Sequence, residues 1–231
     1  NNYELKFNEI YNLIDKNTAL VFLPNPNVPI ESTVDLNKIK KLASYCKKRK
    51  VLLVIDEVYY PFGGPTALNL IKKYQNILIM RSFSKAFGLA GIRLGYLIGN
   101  KQNIEYISKI RSGYETNTIS SEIASFFIDN YKVIIKNINE VKQGLQYLKH
   151  KLNKANIECN GGKTGNYIFI NLKNRKINST VVNKLKQKKI YVRSGWPSPF
   201  DCGFCLSGSS EKNMKFFFNN LIKILKSIKY I

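Results

Sequence analysis

The 231-residue sequence predicts an α/β fold: a parallel-rich sheet with helices on both faces, followed by a small α+β domain at the carboxyl end. Three observations predict it. Continuous apolar runs recur at "ALVFL" (19–23), "VLLVI" (51–55) and "ILIM" (77–80), and runs this short suit strands buried on both faces. Helical patterns separate the runs, so right-handed crossovers should join parallel strands. Beyond about residue 156 the alternation gives way to short strands and helices that end in a final amphipathic helix.

The elements follow in order. "DLNKIKKLASYCKKRK" (35–50) places Leu36, Ile39, Leu42, Ala43 and Cys46 at helical spacing, and Asp35 is a suitable N-cap. "TALNLIKKY" (66–74) predicts a shorter helix, and "IRLGYLIG" (92–99) a further strand. Helices are expected over about 102–112 and over "ISSEIASFFI" (119–128). Ile134, Ile138, Val141, Leu145, Leu148 and Leu152 then recur in a 4-3-4-3-4 rhythm, the stripe of one long amphipathic helix. We expect that helix, over 131–155, to connect a partial cofactor-binding domain (1–130) to a small domain (156–231). In the latter, "YIFINL" (167–172), "IYVR" (190–193) and "GFCLSG" (203–208) predict strands, "STVVNKLKQKK" (179–189) a helix, and 211–228 the closing helix.

A formal net charge of +22 invites a nucleic-acid reading. Against it stand 31 lysines to 6 arginines, with 27 asparagines and 28 isoleucines, a joint excess that reads as codon bias. The lysines are spread along the chain instead of gathered in a stripe, so no specific nucleic-acid partner is expected. Neither a signal peptide nor a membrane-length apolar run is visible, which predicts a cytoplasmic chain with no membrane association. "CGFC" (202–205) has redox spacing, but it adjoins a Pro/Gly-rich loop, and His150 is the sole histidine. No metal site is expected from that set.

Ligands of open parallel sheets sit beyond the carboxyl ends of the strands. Asn25, Asn27, Asp56, Tyr59, Ser82, Ser84 and Lys85 all fall just after strand ends and should converge on one crevice. In "SFSKAFGLAGIRLGY" (82–96), one lysine is framed by serines, with Arg93 eight residues on. Hydroxyls, loop amides and a guanidinium together suit a phosphate monoester dianion. A lysine beside that phosphate, with an aspartate from the neighbouring strand, suits a Schiff base to pyridoxal phosphate.

"DEVY" (56–59), the lysine segment 82–96 and a carboxyl-terminal "VR…G-S-x-E-x-N" (192–213) resemble the fold-type I pyridoxal-phosphate aminotransferases, most of all the histidinol-phosphate aminotransferase group. The resemblance runs over essentially the whole chain. It implies that Lys85 is the Schiff-base lysine and the proton shuttle, and that Asp56 faces the pyridine nitrogen of pyridoxal 5'-phosphate. It further implies that Tyr59 hydrogen-bonds the ring oxygen, while Ser82, Ser84 and Arg93 form the phosphate cup. Asn166 resembles an asparagine near the substrate, and Arg111 and Arg193 are candidate receivers of a substrate anion. The implied partners are a small-molecule amino donor and a keto or aldehyde acceptor, with a homodimer expected of the complete protein.

Three departures accompany the resemblance. The family's N-P-N-N-P-T-G reads "NPNVPIE" (25–31), so either Asn25 or Asn27 could reach the cofactor. The arginine expected on the strand before the closing helix aligns with Phe204, which predicts a small amine or amino acid, phosphorylated or not, as substrate. The family's upstream phosphate-binding helix has no counterpart, so a fragment or a degenerate relative is expected. A decarboxylase of a phosphorylated amino acid on the same scaffold, and a truncated, non-catalytic basic binding protein, are the alternatives.

Overall fold

The computed structural model describes residue 3 and residues 5–230. It divides into two compact units, one built from the chain up to Val28 together with Ser32–Ile134, the other from Pro29–Glu31 and the chain from Ile135 on.

The first unit holds a four-stranded sheet in the order β1 (Leu20–Pro24), β2 (Leu52–Asp56), β3 (Ile77–Ser82), β4 (Gly95–Gly99). The first three strands are parallel and β4 is antiparallel to β3. Leu23, Leu53, Ile55, Ile77 and Ile79 fill one face and pack with Ile39, Leu42, Ala43 and Cys46 of α2 (Leu36–Lys48). Residues that alternate with these point to the other face, since successive strand side chains change sides. There Gly99 leaves no room for a Cβ against Leu78, and Ile104 of α3 (Lys101–Ser108) lies close by. Asp35 caps α2 as expected, its side chain accepting the Asn37 N–H at 2.7 Å. Helix α1 (Phe7–Leu13) precedes the sheet, and α4 (Thr118–Asp129) follows α3.

The second unit is a three-stranded antiparallel sheet in the order β5 (Glu158–Gly161), β6 (Tyr167–Asn171), β7 (Gly203–Ser207). One face packs against α5 (Tyr131–Lys154), α6 (Arg175–Gln187) and α7 (Glu211–Ser227). The predicted rhythm of α5 appears as buried Leu145, Leu148 and Leu152, which meet Val181, Leu185, Leu221 and Leu225. Gly144 lets α5 approach the start of α7: a Cβ there would lie 1.9 Å from the Ser209 carbonyl oxygen.

Two predicted elements differ. The helix expected over 66–74 is a single 3-10 turn, Leu68–Leu70. Its opening donors are diverted, because the Ala67 N–H goes to Glu57 (2.7 Å) and the Leu68 N–H to Thr66 (3.2 Å). Nine residues fall below the length at which an α-helix is stable by itself. "IYVR" is no strand but a segment touching β7 through one bridge, Arg193 with Cys205, before Gly195 turns the chain at φ 80°. Strand β5 and helix α1 carry no strong periodic signal and were not foreseen.

Candidate active site

Three parallel strands deliver their carboxyl ends to one place in the first unit. Pro24 pairs with Asp56 across β1 and β2, and Asp56 with Met80 across β2 and β3. Ser82 lies two residues beyond Met80, so Asp56 and Ser82 share a sheet face. Asp56 Oδ1 accepts the Val58 N–H at 3.0 Å, which turns the chain toward buried Tyr59. Burial pushes the Asp56 carboxyl above its usual range, while the Val58 N–H and the nearby Lys85 charge pull the other way.

The lysine loop is shaped by local bonds. Ser82 Oγ accepts the Ser84 N–H at 3.0 Å and donates to the Leu94 carbonyl at 3.4 Å. Phe83 is buried between the rings of Phe87 (4.8 Å) and Tyr96 (5.8 Å), which anchors the loop on either side of Lys85. Lys85 itself is half-buried, its Nζ 5.2 Å from the centre of the Tyr59 ring. The structure therefore brings Lys85, Tyr59 and Asp56 together.

Ser82, Ser84, Arg93 and Arg111 line one cleft of about 660 Å³, together with Met80, Leu97, Ile104 and Ile107. Arg93 stands at φ 55° and donates from Nη1 to the Ala90 carbonyl at 3.1 Å. Arg111 is exposed and paired through Nε with Glu115 at 2.7 Å.

Asn25 and Asn27 separate clearly. Asn25 is 3% exposed, its Oδ1 accepting the Val34 N–H (2.9 Å) and its Nδ2 donating to the Pro65 carbonyl (3.3 Å), so its side chain braces the loop. Asn27 is half-buried and forms a backbone bridge with Ser32.

Asn166 and Arg193 belong to the second unit. The Asn166 carbonyl accepts the Gly208 N–H at 2.6 Å. Exposed Arg193 holds its guanidinium 5.1 Å from the Trp196 ring. Phe204 does not look outward from β7. It is fully buried among the helices, 6.5 Å from the Phe217 ring, while Cys205 occupies the opposite face. The Cys205 thiol is pushed up to about 12 by burial, so "CGFC" offers no reactive thiolate there. Among the described residues no cluster of His, Cys, Asp and Glu could hold a metal ion, and no helix is long and apolar enough to cross a membrane.

One pair escaped the sequence reasoning. Glu57, 1% exposed, accepts from Arg81 Nη2 (2.9 Å) and Nε (3.2 Å), from Thr66 Oγ1 (2.8 Å) and from the Ala67 N–H (2.7 Å). The Arg81 guanidinium also stacks 3.5 Å from the Tyr60 ring. Opposite charges just past the apolar cores of adjacent strands were the signal that could have found it.

Residues 1–215 match the family described as aminotransferase class I and II. The chain belongs to that family. Among curated aminotransferases it is 36% identical over 185 residues to histidinol-phosphate aminotransferase 1 of Carboxydothermus hydrogenoformans, covering 78% of this chain and 51% of that protein. The solved histidinol-phosphate aminotransferase of Clostridium acetobutylicum superposes with a TM-score of 0.88 at 22% identity, covering 98% of this chain and 69% of that one. The Sinorhizobium meliloti enzyme, solved in complex with pyridoxal-5'-phosphate, gives 0.81 at 21% identity, covering 92% and 58%. The chain spans about half the length of the curated aminotransferases it matches.

Proposed function

We propose that this chain supplies the lysine and cofactor pocket of a pyridoxal-phosphate-dependent aminotransferase, which moves an amino group from a small-molecule donor to a keto or aldehyde acceptor. The observation that carries the reading is the grouping of Lys85 with Tyr59 and Asp56 at the strand ends.

The residues present fit the cofactor. Asp56 is a carboxylate whose charge is penalised by burial, and a protonated ring nitrogen would give it the partner that burial demands. Ser82, Ser84 and Arg93 offer hydroxyls and a guanidinium to one cleft, the donor set that a phosphate dianion requires. When bound, the cofactor supplies an electron-withdrawing ring that stabilises negative charge on the substrate carbon.

The chain's own residues do the rest. Lys85 Nζ would hold the cofactor and, as a free amine, would be the base and acid that moves the substrate proton. Asp56 would accept a hydrogen bond from the ring nitrogen and hold the proton there. The Tyr59 hydroxyl and Asn27 would support the ring oxygen. Arg111, on the same cleft as the phosphate donors, is a proposed receiver of the substrate's own anion. Asn166 and Arg193 are carried as proposed substrate contacts on the strength of the resemblance.

With Phe204 in the core, the outward side of β7 offers Gly203, Cys205 and Ser207, and no cation. A small, phosphorylated amine or amino acid is carried as the proposed substrate on the strength of the resemblance, its anion met away from β7. Exposed Ile110, Tyr114, Ile119 and Phe126 support a homodimer in the complete protein. A cytoplasmic location is part of the same reading.

Half-reaction spectra of the full-length protein, saturated with pyridoxal phosphate and mixed with an amine panel, test the activity. Conversion of the cofactor band with stoichiometric loss of the amino group supports it. An unchanged band with every amine, or carbon dioxide release without amino transfer, would overturn it.

A further inference from the structure

Glu31 stands at φ 59°, a left-handed conformation that non-glycine residues adopt only at a cost, in the segment Pro29–Glu31 that folds with the second unit. What holds it there is its side chain. The carboxylate accepts three consecutive backbone N–H groups: Lys163 (3.0 Å to Oε1 and 2.9 Å to Oε2), Thr164 (2.8 Å) and Gly165. Successive amides converging on one anion form a backbone nest. Gly161 and Gly162, at φ 108° and 78°, curl the chain so that these amides point inward.

The neighbours are built around the carboxylate. A Cβ on Gly165 would sit 3.2 Å from Glu31 Oε1 and 2.7 Å from the Tyr167 ring, so only glycine admits both. Lys149 Nζ donates to the Gly161 carbonyl at 3.0 Å and places a positive charge beside the nest. The Cys205 thiol contacts the Pro29 carbonyl at 3.8 Å, which seats the same segment on the face of β7 opposite its core. Four charge-assisted bonds to main-chain amides thus join two stretches 132 to 134 residues apart.

The nest leads directly into Asn166 and Tyr167 at the start of β6. We propose that Glu31 is a positioning residue: its carboxylate fixes loop 161–165 and through it sets Asn166 for the substrate. This rests on the reading of Asn166 as a substrate contact. A flexible loop would present Asn166 in many orientations, and misplacement of a binding group is paid in substrate affinity before it is felt at the cofactor.

The test uses full-length Glu31→Ala and Glu31→Gln proteins saturated with pyridoxal phosphate. Amide hydrogen exchange at 163–165 should quicken about tenfold or more in Glu31→Ala, the loss expected of a charged acceptor, and by less in Glu31→Gln, which keeps one acceptor oxygen. KM for the amino donor should rise about tenfold in Glu31→Ala, be partly rescued in Glu31→Gln, and leave cofactor content unchanged. Faster exchange with an unchanged KM would overturn the positioning role while leaving the nest in place. Unchanged exchange in both variants would overturn the clasp itself. A wild-type protein that shows the exchange pattern but transfers no amino group would overturn the aminotransferase reading, and the positioning role with it. Should Glu31→Ala fail to fold, Glu31→Gln alone decides, since a neutral side chain with wild-type exchange and KM would refute the proposal.

Discussion

Arg81 and Glu57 meet behind the carboxyl ends of β2 and β3, the guanidinium donating from Nη2 and Nε to a single carboxylate oxygen at 2.9 and 3.2 Å. Both side chains are buried, and Thr66 and the Ala67 amide satisfy much of what remains of the carboxylate. The pair locks together the strand ends that carry Asp56 and Ser82, next in sequence to each partner.

Removing one partner should therefore cost more than removing both. Arg81→Met leaves a buried carboxylate uncompensated and should destabilise the fold by about 3–5 kcal/mol in urea unfolding. Arg81→Met combined with Glu57→Leu should recover a large part of that loss. A single variant that unfolds at the wild-type urea concentration would show that the pair contributes little.

Asp56 predicts a pH dependence with a definite sign. Its pKa is raised in the folded chain, so the protonated form is favoured by folding. The corresponding stability is fully present below the ordinary carboxylate value and is lost as pH rises through the raised one. Asp56→Asn keeps the oxygen that accepts the Val58 N–H and removes the charge. In cofactor-free protein the variant should melt at a higher temperature than wild type at pH 7, and at the same temperature near pH 3. A variant less stable than wild type at pH 7 would contradict this.

The sequence made the site easier to read than its supports. Continuous apolar runs marked β1, β2 and β3 because both faces of a parallel sheet are dry, and the strand-end rule then collected Asp56, Tyr59, Ser82 and Lys85. Helix α5 was legible from its stripe of Ile134 to Leu152. The Arg81–Glu57 pair shows in sequence only as two separate charges past apolar runs, which strand register brings together, and the Glu31 nest depends on contact across more than a hundred residues, which local pattern does not encode. "IYVR" has the β-branched composition of a strand, yet it makes one bridge only, because strand formation is decided by a partner's edge and not by propensity. Phe204 was placed by alignment alone, and alternation along β7 turned it to the core.

That placement is testable. Phe204→Arg puts a cation into the helix-covered face beside Phe217 and should destabilise the second unit by several kcal/mol. Phe204→Leu, which keeps an apolar side chain, should cost about 1–2 kcal/mol. Circular dichroism melts decide between them. A Phe204→Arg protein as stable as Phe204→Leu would mean that the residue faces outward after all.

The most direct test of the cofactor reading is borohydride reduction of the full-length protein saturated with pyridoxal phosphate, followed by peptide mapping. The account predicts one pyridoxyl-modified residue, Lys85, and loss of both the modification and the visible absorbance band in Lys85→Ala. Label scattered over surface lysines, with the same stoichiometry retained in Lys85→Ala, would contradict it.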